Sequence, residues 1–306
     1  MHTTFEQQIA SNKARTFWLG FIFVLIVGGI AYGISIVYSP DQAFVIVAVA
    51  LVASLLYTWF SYYNSDKIVL WQVGAHEVSH ADEPYLMNTV EGLCLAAGLP
   101  IVPRVFIIED TAPNAFATGR DPAHSVVCVT RGLLEKMNRG QLEGVLSHEL
   151  SHIYDRDILV MTLAVMLVGV IALMSDIFWR MMWWGGGRRS SRDSGGGGGA
   201  AGAIFLVVAL VLIILAPIIA QLMQLAISRN REYLADATGA KLTRNPEELA
   251  SALEVIARDP EPLEVANKAT AHLFIANPLA DHGGWLNGLF DTHPPIRERI
   301  RRLREM

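Results

Sequence analysis

The chain of 306 residues holds only two cysteines, Cys94 and Cys128, each inside an apolar stretch. Two isolated thiols of that kind make neither a disulfide framework nor a cysteine metal site. Charge is scarce as well: Asp, Glu, Lys and Arg supply 17% of the residues, and the net charge is −5. That balance offers no basic face, so no nucleic-acid partner is expected. Apolar residues fill the gap, at 52% of the chain with a mean hydropathy of +0.36. Little charge and much apolar surface together point to membrane segments and a lipid bilayer as partner.

Four apolar runs, 16–38, 43–62, 158–179 and 203–227, are each about long enough to cross a hydrocarbon layer of roughly 30 Å. The first follows Lys13 and Arg15, as a signal peptide would. It is too long for a signal-peptide core and a second run follows at once, so an uncleaved anchor is expected. Only "SPDQ" separates the two, which predicts a tight hairpin. Lys13, Arg15 and Lys67 place both flanks on the cytoplasmic side. Arg180, Arg188, Arg189 and Arg192, between the third and fourth runs, go against that rule. The segment "GGGRRSSRDSGGGGGAAG" there lacks the spacing of a phosphate-binding loop and reads as a flexible linker over 185–202.

Between the hairpins, residues 65–157 read as a compact polar domain. "RVFIIED", "NAFATG" and "SVVCVT" predict short strands, being β-branched, aromatic and bounded by turn formers. "EPYLMNTVEGLCLAAG" predicts a helix before them. "RGQLEGVLSHELSHIYDRD" predicts one after, with Leu142, Val145, Leu146, Leu150 and Ile153 in one stripe and a capping box from Asn138 and Gln141.

His-Glu-x-x-His occurs twice, as "HEVSH" from His76 and as "HELSH" from His148. On a helix, residues four apart share a face, so two imidazoles reach one zinc while the Glu points at its water. The metal acidifies that water, and the Glu takes its proton as it attacks a peptide carbonyl. The first copy fails the helical test. Pro84 stands four residues after His80, where its ring would meet the His80 carbonyl, and Glu83 is pushed out of the α region. Pro84 suits the first turn of a new helix, so His76–His80 leads up to a helix. The second copy lies within the amphipathic helix and passes.

A third ligand is needed, and "IYDRDI" after His152 holds neither the His nor the Gly of the long zinc-protease motif. "SRNREYLADATGAKL" supplies Glu232 and, four residues on, Asp236 on the same face. Glu232 can then ligate zinc while Asp236 orients a ligating His through its other nitrogen. His152 lies about 9 Å of helix before the third apolar run, and Glu232 about 7.5 Å after the fourth. A hairpin of those runs brings the two to similar height.

Taken together, "LSHELSHIYDRD", "SRNREYLADATGA", "PNAFATG" and "FDTHPPIRERI" resemble the HtpX family of membrane-bound zinc metalloproteases, gluzincin-type relatives of the CAAX prenyl protease. The resemblance covers nearly the whole chain. It implies a multi-pass endopeptidase of a bacterial-type inner membrane, with a cytoplasmic active site and a part in quality control and the stress response. Its substrates would be unfolded or membrane proteins. It implies one Zn2+ per subunit on His148, His152 and Glu232, with Glu149 as catalytic base. "PNAFATG" resembles the edge strand on which such proteases pair substrate, through Asn114, Ala115 and Phe116. His293 in "THPP" is implied as the oxyanion donor, with Arg299 contacting or supporting substrate. Nothing favours His272 or His282 as ligands.

The expected fold is mainly α with a small β-sheet, comprising two transmembrane hairpins and a cytoplasmic zincin-like protease domain. Its parts are an N-terminal tail and hairpin (1–64), the first protease part (65–157), the second hairpin (158–227) and the second protease part (228–306). Two rivals stay open. One is a narrow-specificity processing protease like the prenyl protease; the other is a non-catalytic scaffold stabilised by zinc, against which three ligands and an intact Glu149 speak.

Overall fold

Two long apolar helices come first in the computed structural model, which describes residues 5–163, 229–266, 270, 273–276 and 294–306. Helix α1 spans Phe5–Tyr38 and α2 spans Ala43–Gln72, joined by a single 3-10 turn at Pro40–Gln42. The "SPDQ" hairpin is thus observed. Gly28 lets the pair close up, because a methyl there would stand 2.9 Å from the Leu51 side chain. Both helices are long and apolar enough to cross a membrane, and most of their apolar length is exposed. Phe17, Trp18, Phe44, Val49, Leu55 and Trp59 all point outward. A water-soluble core helix would bury such residues.

Helix α2 changes character at Asn64, where φ −124° and ψ 15° interrupt the helix. Beyond that kink its face turns inward: Val69, Leu70 and Val73 are buried against the sheet. The end of the second apolar run and the start of the polar domain therefore meet inside one kinked helix.

The polar domain is built on a four-stranded mixed sheet. The strands are β1 (His76–Glu77), β2 (Arg104–Ile108), β3 (Ala115–Gly119) and β4 (Ser125–Thr130), in the order β1-β2-β4-β3. β2 and β4 are parallel, while β1 and β3 pair antiparallel on the two sides. Alternate residues point to opposite faces. Val105, Ile107, Ala115, Ala117, Val127 and Val129 pack towards the helical layer, whereas Phe106, Ile108, Phe116, Val126 and Cys128 meet the end of α2. Both cysteines are buried and unbridged.

The helical layer holds α3 (Pro84–Ala97), α4 (Arg131–Lys136), α5 (Arg139–Tyr154), α6 (Arg229–Thr243), α7 (Pro246–Arg258) and α8 (Ile296–Arg304). Pro84 opens α3 at its first turn, and α3 ends at Gly98 in the left-handed region with φ 67°. Asn138 and Gln141 form the full capping box of α5, which contributes about 1 kcal/mol. Leu142, Val145, Leu146, Leu150 and Ile153 bury the stripe read from the sequence. Each stabilises by roughly 1.5–3 kcal/mol. A helix that starts at residue 158 is described only as far as 163. The remainder of the third apolar run, the fourth run, the linker 185–202, His272, His282 and His293 lie outside the described residues.

Candidate active site

Helix α5 runs through the centre of the polar domain, so the second His-Glu-x-x-His is entirely buried. Helix α6 crosses it at close range: a methyl on Gly239 would stand 3.0 Å from the His148 backbone nitrogen and the Ser147 Oγ. That approach carries Glu232, on the first turn of α6, to the histidine pair. His148 Nε2 and His152 Nε2 are 3.2 Å apart. Glu232 Oε2 lies 3.8 Å from His148 Nε2, and its Oε1 lies 3.6 Å from His152 Nε2. A tetrahedral ion with ligand bonds of about 2.0–2.2 Å separates its donors by about 3.3–3.6 Å. The triangle fits such an ion. Among the described residues it is the only group of three or more His, Cys, Asp or Glu side chains so arranged.

Each imidazole is held at its other nitrogen by a carboxylate. Asp236 Oδ1 is 3.0 Å from His148 Nδ1, as the four-residue spacing from Glu232 predicts. Asp157 is 3.1 Å from His152 Nδ1, and no helical spacing announces it. The signal for Asp157 in the sequence is an acid directly after the His148–His152 helix, in "YDRD".

Arg299, implied by the resemblance to contact or support substrate, lies inside the protein. It is only 1% exposed, with Nε and Nη2 donating to Asp236 at 2.9 and 2.7 Å and Nη1 donating to the Ile275 carbonyl at 2.7 Å. Its Nη1 also lies 3.6 Å from Glu232. With its donors so engaged, it braces Asp236 behind the His148 ring.

Burial sets the proton affinities, and the neighbours split them. Burial pushes the Glu149 carboxyl up to about 8, against the opposing charges of His152 and Arg299. Among the described residues Glu149 Oε1 has no hydrogen-bond partner, while the carboxylate accepts from the Ala117 N–H. Burial and the nearby Arg299 cation hold His148 below the usual histidine range. Burial also opposes charge on His152, but Asp157 outweighs it, with Glu232 and Glu149, and pushes the ring up to about 10. Arg299 and His148 overcome burial at Asp236 and hold it near 2.

Strand β3 forms one edge of the sheet beside this centre. The Ala115 carbonyl accepts from the Ile275 N–H at 2.9 Å, and the Asn114 side-chain amide donates to the Ala276 carbonyl at 3.2 Å. Phe116 packs edge-on against Phe274, with ring centroids 5.1 Å apart. Residues 273–276 therefore cover the first half of the strand.

The first His-Glu-x-x-His forms no such centre. His76 and Glu77 are extended as β1 and paired with β2. His76 faces Glu109 at 3.5 Å, while His80 faces Glu91 at 2.7 Å, and both rings are about half exposed. The two imidazoles engage different acids.

Residues 80–306 match the family model of peptidase family M48. The chain is 43% identical to a "Protease HtpX homolog" of Dictyoglomus turgidum, over 99% of this chain and 95% of that one. It is 46% identical to a "Protease HtpX homolog" of Lactobacillus acidophilus, over 98% and 99%. The crystal structure of S. mikatae Ste24p aligns with 93% of this chain and 62% of that one, at 18% identity and a TM-score of 0.47. That likeness is too slight to bear on function. Matched along nearly its whole length to HtpX relatives, and carrying a buried His-His-Glu centre, the chain belongs to peptidase family M48 and is a metalloprotease.

Proposed function

We propose that the protein is a membrane-embedded, zinc-dependent endopeptidase that hydrolyses peptide bonds of misfolded or damaged membrane proteins at the cytoplasmic face. The triangle of His148, His152 and Glu232 donors carries this reading, with a Glu149 oxygen that has no partner among the described residues. Structural zinc sites are usually closed by four protein ligands, and three leave one position for chemistry. Zinc bound there supplies a Lewis acid that activates water and polarises the peptide carbonyl.

The protein's own residues do the rest. His148, His152 and Glu232 hold the ion, and Asp236 and Asp157 fix the tautomer of each imidazole so that Nε2 is free to ligate. Arg299 keeps Asp236 in place. Glu149, whose carboxyl favours the proton more than an exposed one does, takes it from the attacking water and passes it to the leaving amine. The Ala117 N–H aims that carboxylate.

Substrate main chain adds to the outer side of β3. Successive residues of a strand turn their backbone groups to alternate sides. The Ala115 carbonyl and the Ala117 N–H both face outward, and both are already taken, the first by Ile275 and the second by Glu149. Peptide pairing, expected at Asn114, Ala115 and Phe116, is thus proposed at the Ala117 carbonyl and at Gly119. His293, as oxyanion donor, completes the proposed machinery.

Topologically, α1 and α2 form one membrane hairpin and residues 158–227 a second, with Lys13, Arg15 and Lys67 inside. The test is Glu149→Gln in purified protein: it is expected to keep its zinc and lose casein cleavage. Retained cleavage would end the hydrolase reading.

A further inference from the structure

The end of the sheet at Arg104, Gly119 and Ser125 carries exposed apolar residues that the catalytic centre does not use. They lie in "GLPIVP", between α3 and β2: Ile101 is 50% exposed and Val102 is 40% exposed. Leu95, on the last turn of α3, is 83% exposed. Pro100 and Pro103 bracket the pair, and fixed φ at both prolines lowers the entropy lost in presenting it. Solvated loops of this kind usually carry polar tips.

Their place in the fold indicates what covers them. Arg104, directly after Pro103, donates to Asp66 at 2.7 Å, two residues past the α2 kink. From there β2 and the end of α2 climb together, Phe106 and Ile108 sharing a core with Val69, Leu70 and Val73. The loop preceding Arg104 is thus at the level where α2 leaves its apolar run. Arg120 marks the same level, with its guanidinium 5.3 Å from the Tyr63 ring centroid and donating to the Tyr63 carbonyl at 3.3 Å. Tyr57, Trp59, Tyr62 and Tyr63 crowd this stretch of α2, the composition of a membrane-water boundary.

A second entry point agrees. Gly98, Leu99 and Pro100 line one cleft of about 410 Å³ with Asp121, His124, Tyr154 and Arg156. Tyr154 ends α5, and two residues past Arg156 begins the helix of the third apolar run. The apolar loop therefore lies between the two places where the chain meets apolar runs. Lys67 and Arg156 are exposed at this end of the domain, beside Arg104 paired with Asp66 and Arg120 paired with Asp121, and suit anionic headgroups.

We propose that Leu95, Ile101 and Val102 form a docking surface that seats the protease domain on the lipid bilayer, dipping into its interfacial layer. This rests on the reading of α1 and α2 as membrane spans. Seated so, the domain holds its catalytic centre at a set height above the bilayer, within reach of chains emerging from it.

The test uses single added cysteines in the full-length protein, since the native thiols Cys94 and Cys128 are buried. Ile101→Cys and Val102→Cys are labelled with an environment-sensitive fluorophore. The protein is reconstituted in phosphatidylethanolamine–phosphatidylglycerol vesicles with or without lipid carrying a nitroxide near the headgroup. Val49→Cys, on the apolar length of α2, and Glu135→Cys, exposed at the far end of the sheet, are the references. The expected result is blue-shifted emission and at least twofold nitroxide quenching at 101, 102 and 49, with neither at 135. Quenching at 49 alone overturns the docking surface and leaves the spans standing. A blue shift at 101 and 102 without quenching also overturns it, assigning the loop to a second copy of the chain. No quenching at 49 removes the spans and the proposal together.

Discussion

Asp157 brings its carboxylate to 3.1 Å from Nδ1 of His152, although the helix carrying His152 has already ended at Tyr154. The turn is made by Arg156, a non-glycine residue at φ 55°. The Asp157 backbone carbonyl meanwhile accepts from the N–H of Val160 and Met161, starting the helix that leads into the third apolar run. One residue thus links a histidine of the His-His-Glu cluster to the start of the third apolar run. Asp157→Asn keeps that backbone role and loses the charge behind His152. Zinc affinity is expected to fall about 10–100-fold, read by competition with a chromogenic chelator, with an unchanged circular dichroism spectrum.

Arg299 and Asp236 form a buried pair, 1% and 2% exposed. Removing one partner leaves the other charge unpaired, which costs about 3–5 kcal/mol. Arg299→Gln should lower Tm in detergent more than the double variant Arg299→Gln/Asp236→Asn does. If the double variant is the less stable of the two, the pairing account fails.

Gly239 sets the distance between α5 and α6. A larger side chain at 239 meets the His148 backbone and pushes α6 outward, carrying Glu232 with it. Gly239→Val is expected to bind less than half the zinc of the parent protein at equal total metal, measured by atomic absorption after desalting.

These residues mark how far the sequence could be read. Pro84, Asn138 and Gln141 act through local sterics and capping, so the helix starts at α3 and α5 were legible. So were the three longer strands and the Glu232–Asp236 spacing, which need only the helical or strand period. Asp157 was not, because its contact depends on a left-handed Arg156 that no periodicity predicts. The burial of Arg299 was not either: its partner lies 63 residues away, and nothing local distinguishes it from Arg297 or Arg301. The covering of β3 by residues 273–276 is likewise a long-range contact. Beyond its proline, "HEVSH" gave no sign that His76 and Glu77 would pair with β2.

His293 is proposed to act on the reaction and to leave the metal alone. His293→Ala is expected to lower kcat on a peptide substrate at least tenfold with full zinc content. Loss of zinc in that variant would assign His293 a place among the ligands.

Of the two His-Glu-x-x-His stretches, only the second is proposed as the catalytic centre. Zinc content and casein cleavage, measured together on His76→Ala and His148→Ala, test it most directly. One zinc per subunit and unchanged cleavage are expected for His76→Ala, with both lost in His148→Ala. Zinc loss in His76→Ala, or full zinc and cleavage in His148→Ala, would contradict it.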